Sequence, residues 1–277
     1  MTTRLGLALS GGTARSVAHV GVLKALLQAG INPDCLAATS GGSIVAIMLA
    51  SGRSIDELEE IAHSMSWSKL ASIKLSRLGF ASSKRIEKTM EELLDGMTFD
   101  QLKIPCSVTA TDLTTGEKKI FNTGRISRAV RASCSIPQIF LPVEIGGRYY
   151  VDGGLSEYMP AQTLHDMGAT FTIGVHLAGT RRIREQPSNL LQLIMQLITL
   201  ISRQNLDVSL KHADYVIAPE IDDYNSFDFG PTEELIQLGY DTAVQHTDQI
   251  KQAMENKQKI GSRIRASLKY IFSLRGH

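Results

Sequence analysis

The chain has 277 residues, 43% of them hydrophobic and 21% charged, with a formal net charge of +1. That length can bury one large core or two small ones, and the composition is ordinary for a globular protein. The balanced charge argues against a nucleic-acid partner, and three dispersed cysteines in apolar settings, Cys35, Cys106 and Cys134, read as buried thiols of a reducing compartment rather than a disulfide framework.

The apolar run at residues 4–9 is too short for a signal peptide. No stretch reaches the ~18–20 apolar residues of a spanning helix; the longest, Leu190 to Ile201, is interrupted by Gln192 and Gln196. The expectation is a cytoplasmic protein. Residues 4–9 predict a strand buried on both faces, Ser10 to Ser16 a turn, and Val17 to Ala29 a helix capped by Gly30. Cys35 to Thr39 predicts a second strand and Gly42 to Ala50 a second helix. Two βα units in succession predict a parallel sheet with helices on its faces.

Residues 54–70 read as one acidic amphipathic helix opened by Ser54, with Asp56, Glu57, Glu59 and Glu60 where the helix dipole favours them. Residues 71–82 read as irregular and able to cover a site. A helix over Lys84 to Leu94 follows, then strands over Pro105 to Ala110 and Lys118 to Phe121. Next come a short helix over Ser127 to Cys134 and a hairpin over Val143 to Val151 with Gly146-Gly147 at its tip. Pro160 to Met167 predicts a helix, Phe171 to Val175 a strand, 188–210 a long amphipathic helix, Asp214 to Ala218 the last strand and Thr232 to Gln258 the last helix. Residues 1–256 then form one α/β domain. From Lys257 to residue 277 the chain carries Lys257, Lys259, Arg263, Arg265, Lys269 and Arg275 with no acid, and Ile260, Ile264, Leu268 and Ile271 recur at helical spacing. Such a tail can lie on an anionic membrane surface, peripherally at the inner membrane, or dock on the body with a solvated basic face.

Three stretches fall where an open α/β sheet places its site, at strand ends. In Ala38-Thr39-Ser40-Gly41-Gly42 an apolar strand ends, one serine follows, and small residues lead into a helix. This has the layout of a nucleophile elbow, with Ala38 in place of the usual first glycine. The other reading is a turn in which Ser40 or Ser43 caps the helix. Gly11-Gly12-Thr13-Ala14-Arg15 is a glycine turn entering a helix, able to offer backbone N–H groups to an anion or a developing oxyanion. It lacks the Gly-Lys-Ser/Thr of a P-loop and the spacing of a dinucleotide fingerprint. Asp152-Gly153-Gly154 presents an open carboxylate, or an Asx turn. Arg15 can hold a phosphate head group or brace the turn. His19 reads as a packing residue, and His176, just after a strand, as the candidate histidine of a conventional triad. No ligand spacing predicts a metal, and no motif predicts a cofactor.

Together, Gly11-Gly12-x-x-Arg15, the Ser40 elbow and Asp152-Gly153-Gly154 resemble the patatin-like phospholipase family. The likeness extends to Ala18-His19-Val20-Gly21-Val22-Leu23, Thr109-Ala110-Thr111-Asp112-Leu113 and Arg131-Ala132-Ser133-Cys134-Ser135-Ile136-Pro137, and covers residues 4–220. The resemblance implies a three-layer α/β/α fold with a mostly parallel central sheet. It implies a metal-independent serine acyl hydrolase acting on a lipid or other carboxylic ester, with Ser40 as nucleophile and Asp152 as base. An oxyanion hole would come from Gly11, Gly12, Thr13 and Gly41, and Arg15 would touch substrate. Thr13 and Ser16 stand where the family usually has glycine, and if position 13 takes a positive φ its β-branched side chain is strained by about 1–3 kcal/mol. Two other readings follow: a catalytically idle module that binds lipid or a protein partner, and a Ser-His-Asp esterase using His176.

Overall fold

The computed structural model describes residues 3–76, 79–179 and 186–274, of which 73–76, 79–80, 190–191, 195 and 260–274 are described by backbone alone. The chain runs β1 (Leu5–Leu9), α1 (Ala18–Gln28), β2 (Cys35–Thr39), α2 (Gly41–Ser51), α3 (Ile55–Ser64), α4 (Trp67–Leu70), β3 (Ser72–Ser76), β4 (Gly79–Ser82) and α5 (Lys84–Leu94). It continues through β5 (Cys106–Asp112), β6 (Lys118–Phe121), α6 (Ile126–Ser133), β7 (Gln138–Phe140), β8 (Val143–Ile145) and β9 (Arg148–Asp152). The last elements are α7 (Ala161–Asp166), β10 (Phe171–Val175), α8 (Leu190–Leu210), β11 (Tyr215–Ile217) and α9 (Thr232–Leu274).

The first two strands alternate by size, not polarity, and that alternation sets up the layers. Leu5, Leu7, Leu9, Leu36 and Ala38 pack in one core cluster with residues of α1, α2, α3 and α9. Ala8, Cys35 and Ala37 pack in a second cluster with Ala161 and Leu164 of α7 and Leu206 of α8. Because successive strand residues point to opposite faces, the sheet has a large-residue face and a small-residue face. On the small face α7 comes very close: a Cβ on Gly6 would lie 2.8 Å from Ala169 Cβ and 3.1 Å from Leu164 Cβ. The strand order is β11-β10-β1-β2-β5-β9-β8, with β6 also on β5. Pairs from β11 to β5 are parallel, whereas β6, β8 and β9 pair antiparallel. The expected three layers are present around a mixed sheet, parallel through its centre. All three cysteines are buried and free.

Two expectations are corrected. Residues 72–76 and 79–82 are strands: β3 and β4 pair antiparallel with a register shift between Ile73 and Ser76, and β4 pairs parallel with β7, making a small second sheet. The alternation Ser72-Ile73-Lys74-Leu75-Ser76 is the period-two signal for it. Residues 54–70 are two helices, because Met65 and Ser66 are extended (ψ 141° and 161°). Ser54 does open α3, in a reciprocal capping box with Glu57.

α9 continues unbroken through residue 257 to Leu274. Lys257 ion-pairs with Asp214 and Gln258 donates to Thr3, so the first tail residues dock on the body; the side chains of the tail beyond 259 lie outside the described residues. Among the described residues no helix is long and apolar enough to cross a membrane. α9 crosses α1 through a pair of glycines. A Cβ on Gly21 would run into the Ile236 carbonyl and lie 2.7 Å from Tyr240 N, and one on Gly239 would meet the Ala18 carbonyl. Alanine favours a helix interior by up to about 1 kcal/mol over glycine, but here the obstruction is backbone. Gly21→Ala should therefore lower stability by about 1–3 kcal/mol in chemical denaturation.

Candidate active site

One strand edge brings the serine and the aspartate together. In β5, Val108 and Thr109 pair with both β2 and β6, while Ala110 and Thr111 pair with both β6 and β9. Each strand has two edges, so β6 occupies one and β2 and β9 share the other from opposite directions. β2 ends with Thr39 opposite Thr109, and β9 ends with Asp152 opposite Ala110. The residue after Thr39 is Ser40, whose Oγ donates to Asp152 Oδ2 at 2.6 Å.

Ser40 sits in a sparsely populated backbone region (φ 51°, ψ −132°) and its side chain does not cap α2. The bonds around it hold the strained turn. Its N–H donates to Ser133 Oγ (2.7 Å), and Ser133 in turn donates to the Thr109 carbonyl (2.6 Å). Ser43, not Ser40, makes the local side-chain bond, donating to the Ser40 carbonyl (2.6 Å). Glycines let the elbow close: a Cβ on Gly42 would meet the Ser10 carbonyl, and one on Gly41 would meet Ser16 Oγ. Gly153 is equally tight against the Thr109 carbonyl.

Asp152 is both an Asx turn and a partner of serine: its Oδ1 accepts from Gly154 N–H (2.8 Å), leaving Oδ2 for Ser40. Its own N–H donates to the Ser135 carbonyl (2.9 Å) and Thr111 Oγ1 donates to its carbonyl (2.9 Å). Burial pushes the carboxyl up to about 6, against the opposing pull of the Ser40 hydroxyl and the Gly154 N–H.

The glycine turn leads into a 3-10 segment over Thr13–Val17. Gly11 N–H donates to the Tyr158 carbonyl (3.2 Å), so in this structure it is engaged within the turn. Among the described residues no acceptor takes the N–H of Gly12, Thr13 or Gly41. Thr13 does take a positive φ, 56°. Ser16 Oγ is buried without a partner among the described residues, pressed against Gly12 and Gly41.

Two cavities meet at Ser40. One is apolar and runs past Ile44, Met48, Ile61, Trp67 and Ile136. Trp67 forms part of its wall, donating to the Phe227 carbonyl (2.6 Å) and stacking on that ring at 5.6 Å. The other cavity is polar and is lined by Gly12, Arg15, Asp152, Tyr158, Ser202 and Arg203. Arg15 Nε is buried with no acceptor among the described residues, and burial lowers the guanidinium pKa. His19 is a packing residue whose Nε2 contacts the Ser10 carbonyl (3.0 Å). His176 is bonded to neither Ser40 nor Asp152, and its Nδ1 has no partner among the described residues. Tyr158, Ser202 and Arg203 escape sequence reasoning because only the fold carries them to Ser40. Ser133 lies inside a stretch already singled out, but nothing local marks its hydroxyl as the brace of the elbow.

Two stability measurements follow. Thr13→Gly should gain about 1 kcal/mol in thermal or chemical unfolding, strain relief exceeding the entropy that glycine adds to the unfolded chain. For Asp152 the native pKa lies above the ordinary carboxylate value, so its contribution is fully present below pH 4 and is lost as pH rises through about 6. Asp152→Asn should therefore be more stable than wild type at pH 8 by about 1–3 kcal/mol, with the gap closing by pH 4.

Comparison with known proteins places the family and the fold. The patatin-like phospholipase family model matches residues 7–165. An uncharacterized NTE family protein of Mycobacterium tuberculosis is 33% identical over 186 residues, covering 64% of this chain and 50% of that one. Neuropathy target esterase sws of Drosophila melanogaster is 27% identical over 271 residues, covering 85% of this chain and 19% of that one. The chain thus spans half or less of the length of these relatives. Among solved structures, VipD from Legionella pneumophila superimposes with a TM-score of 0.62 at 16% identity, over 90% of this chain and 67% of that chain, which is a likeness of fold. With a family model covering more than half its length, and carrying that family's motifs at one strand edge, the chain belongs to the patatin-like phospholipase family.

Proposed function

We propose that the protein is a lipid acyl hydrolase in which Ser40 is the nucleophile and Asp152 the general base. The observation that carries this reading is the 2.6 Å bond from Ser40 Oγ to a buried Asp152 Oδ2, at the meeting of an apolar and a cationic cavity. An ordinary carboxylate is a weak base for a serine hydroxyl, but one raised to about 6 is matched to work near neutral pH. Ser40 Oγ attacks the acyl carbonyl and its proton passes to Asp152. The N–H groups of Gly12, Thr13 and Gly41 receive the oxyanion, where each donor is worth about 2.7–4 kcal/mol. Collapse breaks the ester C–O bond, and Asp152 returns the proton to the departing alcohol. Water then attacks the acyl-enzyme by the same route in reverse and frees the acid.

The apolar cavity suits the acyl chain. Arg15 and Arg203, on the opposite side of Ser40, suit an anionic group on the alcohol, the phosphate of a phospholipid being the natural one. The test is hydrolysis of a p-nitrophenyl ester series and of a lysophospholipid by wild type, Ser40→Ala, Asp152→Asn and His176→Ala. Ser40→Ala and Asp152→Asn should lose at least about 10³-fold in kcat while staying folded, and His176→Ala should keep activity. In wild type kcat/KM should rise with pH through about 6 and then level off, as the base ionises. A wild type no faster than Ser40→Ala on every substrate, with no labelling by a fluorophosphonate, would point to the idle binding module. Loss of activity in His176→Ala with Asp152→Asn still active would point to the triad.

A further inference from the structure

α8 has two opposed faces. Ile198 and Ser202, with Arg203 beside them, line the polar cavity that holds Ser40 and Asp152. On the other side Leu193, Leu197, Leu200 and Ile201 are 42%, 50%, 50% and 41% exposed. These residues fall at i, i+4, i+7 and i+8, which is one stripe of a helix. These are four of the eight large hydrophobic side chains that are exposed among the described residues, and a fifth, Val208, lies further along α8 past exposed Gln204 and Asp207. The four form a patch, whereas the other three, Leu113, Tyr149 and Val244, belong to other elements. Contiguous exposed apolar surface marks an interaction site; scattered exposed leucines do not.

We propose that this stripe of α8 is an interfacial docking surface that seats the protein on a zwitterionic lipid surface, with the catalytic cavity on the helix's far side. The purpose assigned to it rests on the lipid-hydrolase reading above, but the binding itself does not. The composition favours lipid over protein. The stripe is purely aliphatic, and the tryptophan, tyrosine and arginine anchors that carry protein–protein contacts are missing from it. No residue from Gln186 to Ser202 is charged, so pressing the stripe into the hydrocarbon boundary strips water from no ion. Exposed Gln204, Asp207 and Lys211 follow toward the C-terminal end of the helix, which marks where the contact stops and water begins. α8 falls short of a spanning segment, so it lies on the surface rather than crossing it. The absence of cations from the stripe also separates this surface from the basic tail: docking through α8 needs no anionic lipid.

The test uses the full chain with Ser40→Ala, so that binding is read without turnover, and sedimentation with vesicles of phosphatidylcholine alone or with one-third phosphatidylglycerol. The expected result is partition onto both, differing by less than about threefold. The Leu193→Gln/Leu197→Gln/Leu200→Gln variant should lose at least tenfold on both, and Leu197→Gln alone should lose part of that. In the Ser40 background the triple variant should hydrolyse a soluble short-chain ester within twofold of wild type while losing activity on vesicles. Four results would overturn the proposal: no binding to either vesicle, binding only when phosphatidylglycerol is present, undiminished binding by the triple variant, or a dimer in light scattering that the triple variant abolishes. The last would assign the stripe to a second copy of the chain. Because binding is measured with Ser40 removed, failure of the hydrolase reading would leave this result standing, and the reverse holds too.

Discussion

The structure depends on one shared edge. β2 and β9 approach along the same side of β5 from opposite directions, and their ends face Thr109 and Ala110, neighbours in the chain. The meeting of Ser40 with Asp152 is fixed by that abutment. A parallel strand delivers the serine at its C-terminal end, as α/β sheets generally do. An antiparallel strand delivers the aspartate from the other direction, so Ser40 Oγ and Asp152 Oδ2 meet directly. The closeness required is bought with glycines. Gly41 and Gly42 let α2 start against the glycine turn, and Gly153 lets the chain leave β9 beside the Thr109 carbonyl.

That edge also concentrates unfavourable terms in one place. Ser40 and Thr13 both hold positive φ, and Asp152 is a buried carboxylate. Strain and desolvation of this kind persist only where the surroundings over-determine the geometry. Here the surroundings are the hydroxyl of Ser133, the carbonyl of Ser135, the Gly154 N–H, and the large core cluster behind α1 and α2. Among the described residues the N–H groups of Gly12, Thr13 and Gly41 have no acceptor, and the buried Arg15 Nε and Ser16 Oγ beside them have no partner either. This is the pattern of preorganisation for charge that develops only during a reaction.

Most of the fold was legible because the strands and helices are strongly patterned and bounded by glycine, proline and capping serines. Strand ends and helix starts such as Thr39, Ser54, Lys84 and Phe171 could be read directly. The alternation at 72–76 is short and diluted by serines, and the break at Met65–Ser66 has only weak local cause. At the site, Ser40, Asp152 and the glycine turn were visible as motifs, since each needs small residues at fixed positions. The bond from Gly11 N–H to the Tyr158 carbonyl was not legible, because Tyr158 is 147 residues away in the chain. Tyr158 and Arg203 were hidden for the same reason, and the amphipathic pattern of 188–210 did not say which face turns to the site. Their roles come from which face of an element the tertiary structure turns inward, and sequence spacing does not specify a partner.

The wall of the apolar cavity has a consequence for observation. Trp67 is the only tryptophan in the chain, and it lies against that cavity, hydrogen-bonded and stacked on Phe227. Indole emission shifts in colour as water around the ring is replaced by hydrocarbon. The fluorescence of the whole protein is therefore the fluorescence of this one wall. An alkyl chain sliding past Met48 and Ile61 would register as a blue shift without any label, so occupancy of the cavity could be followed in real time, even in a variant that cannot turn over.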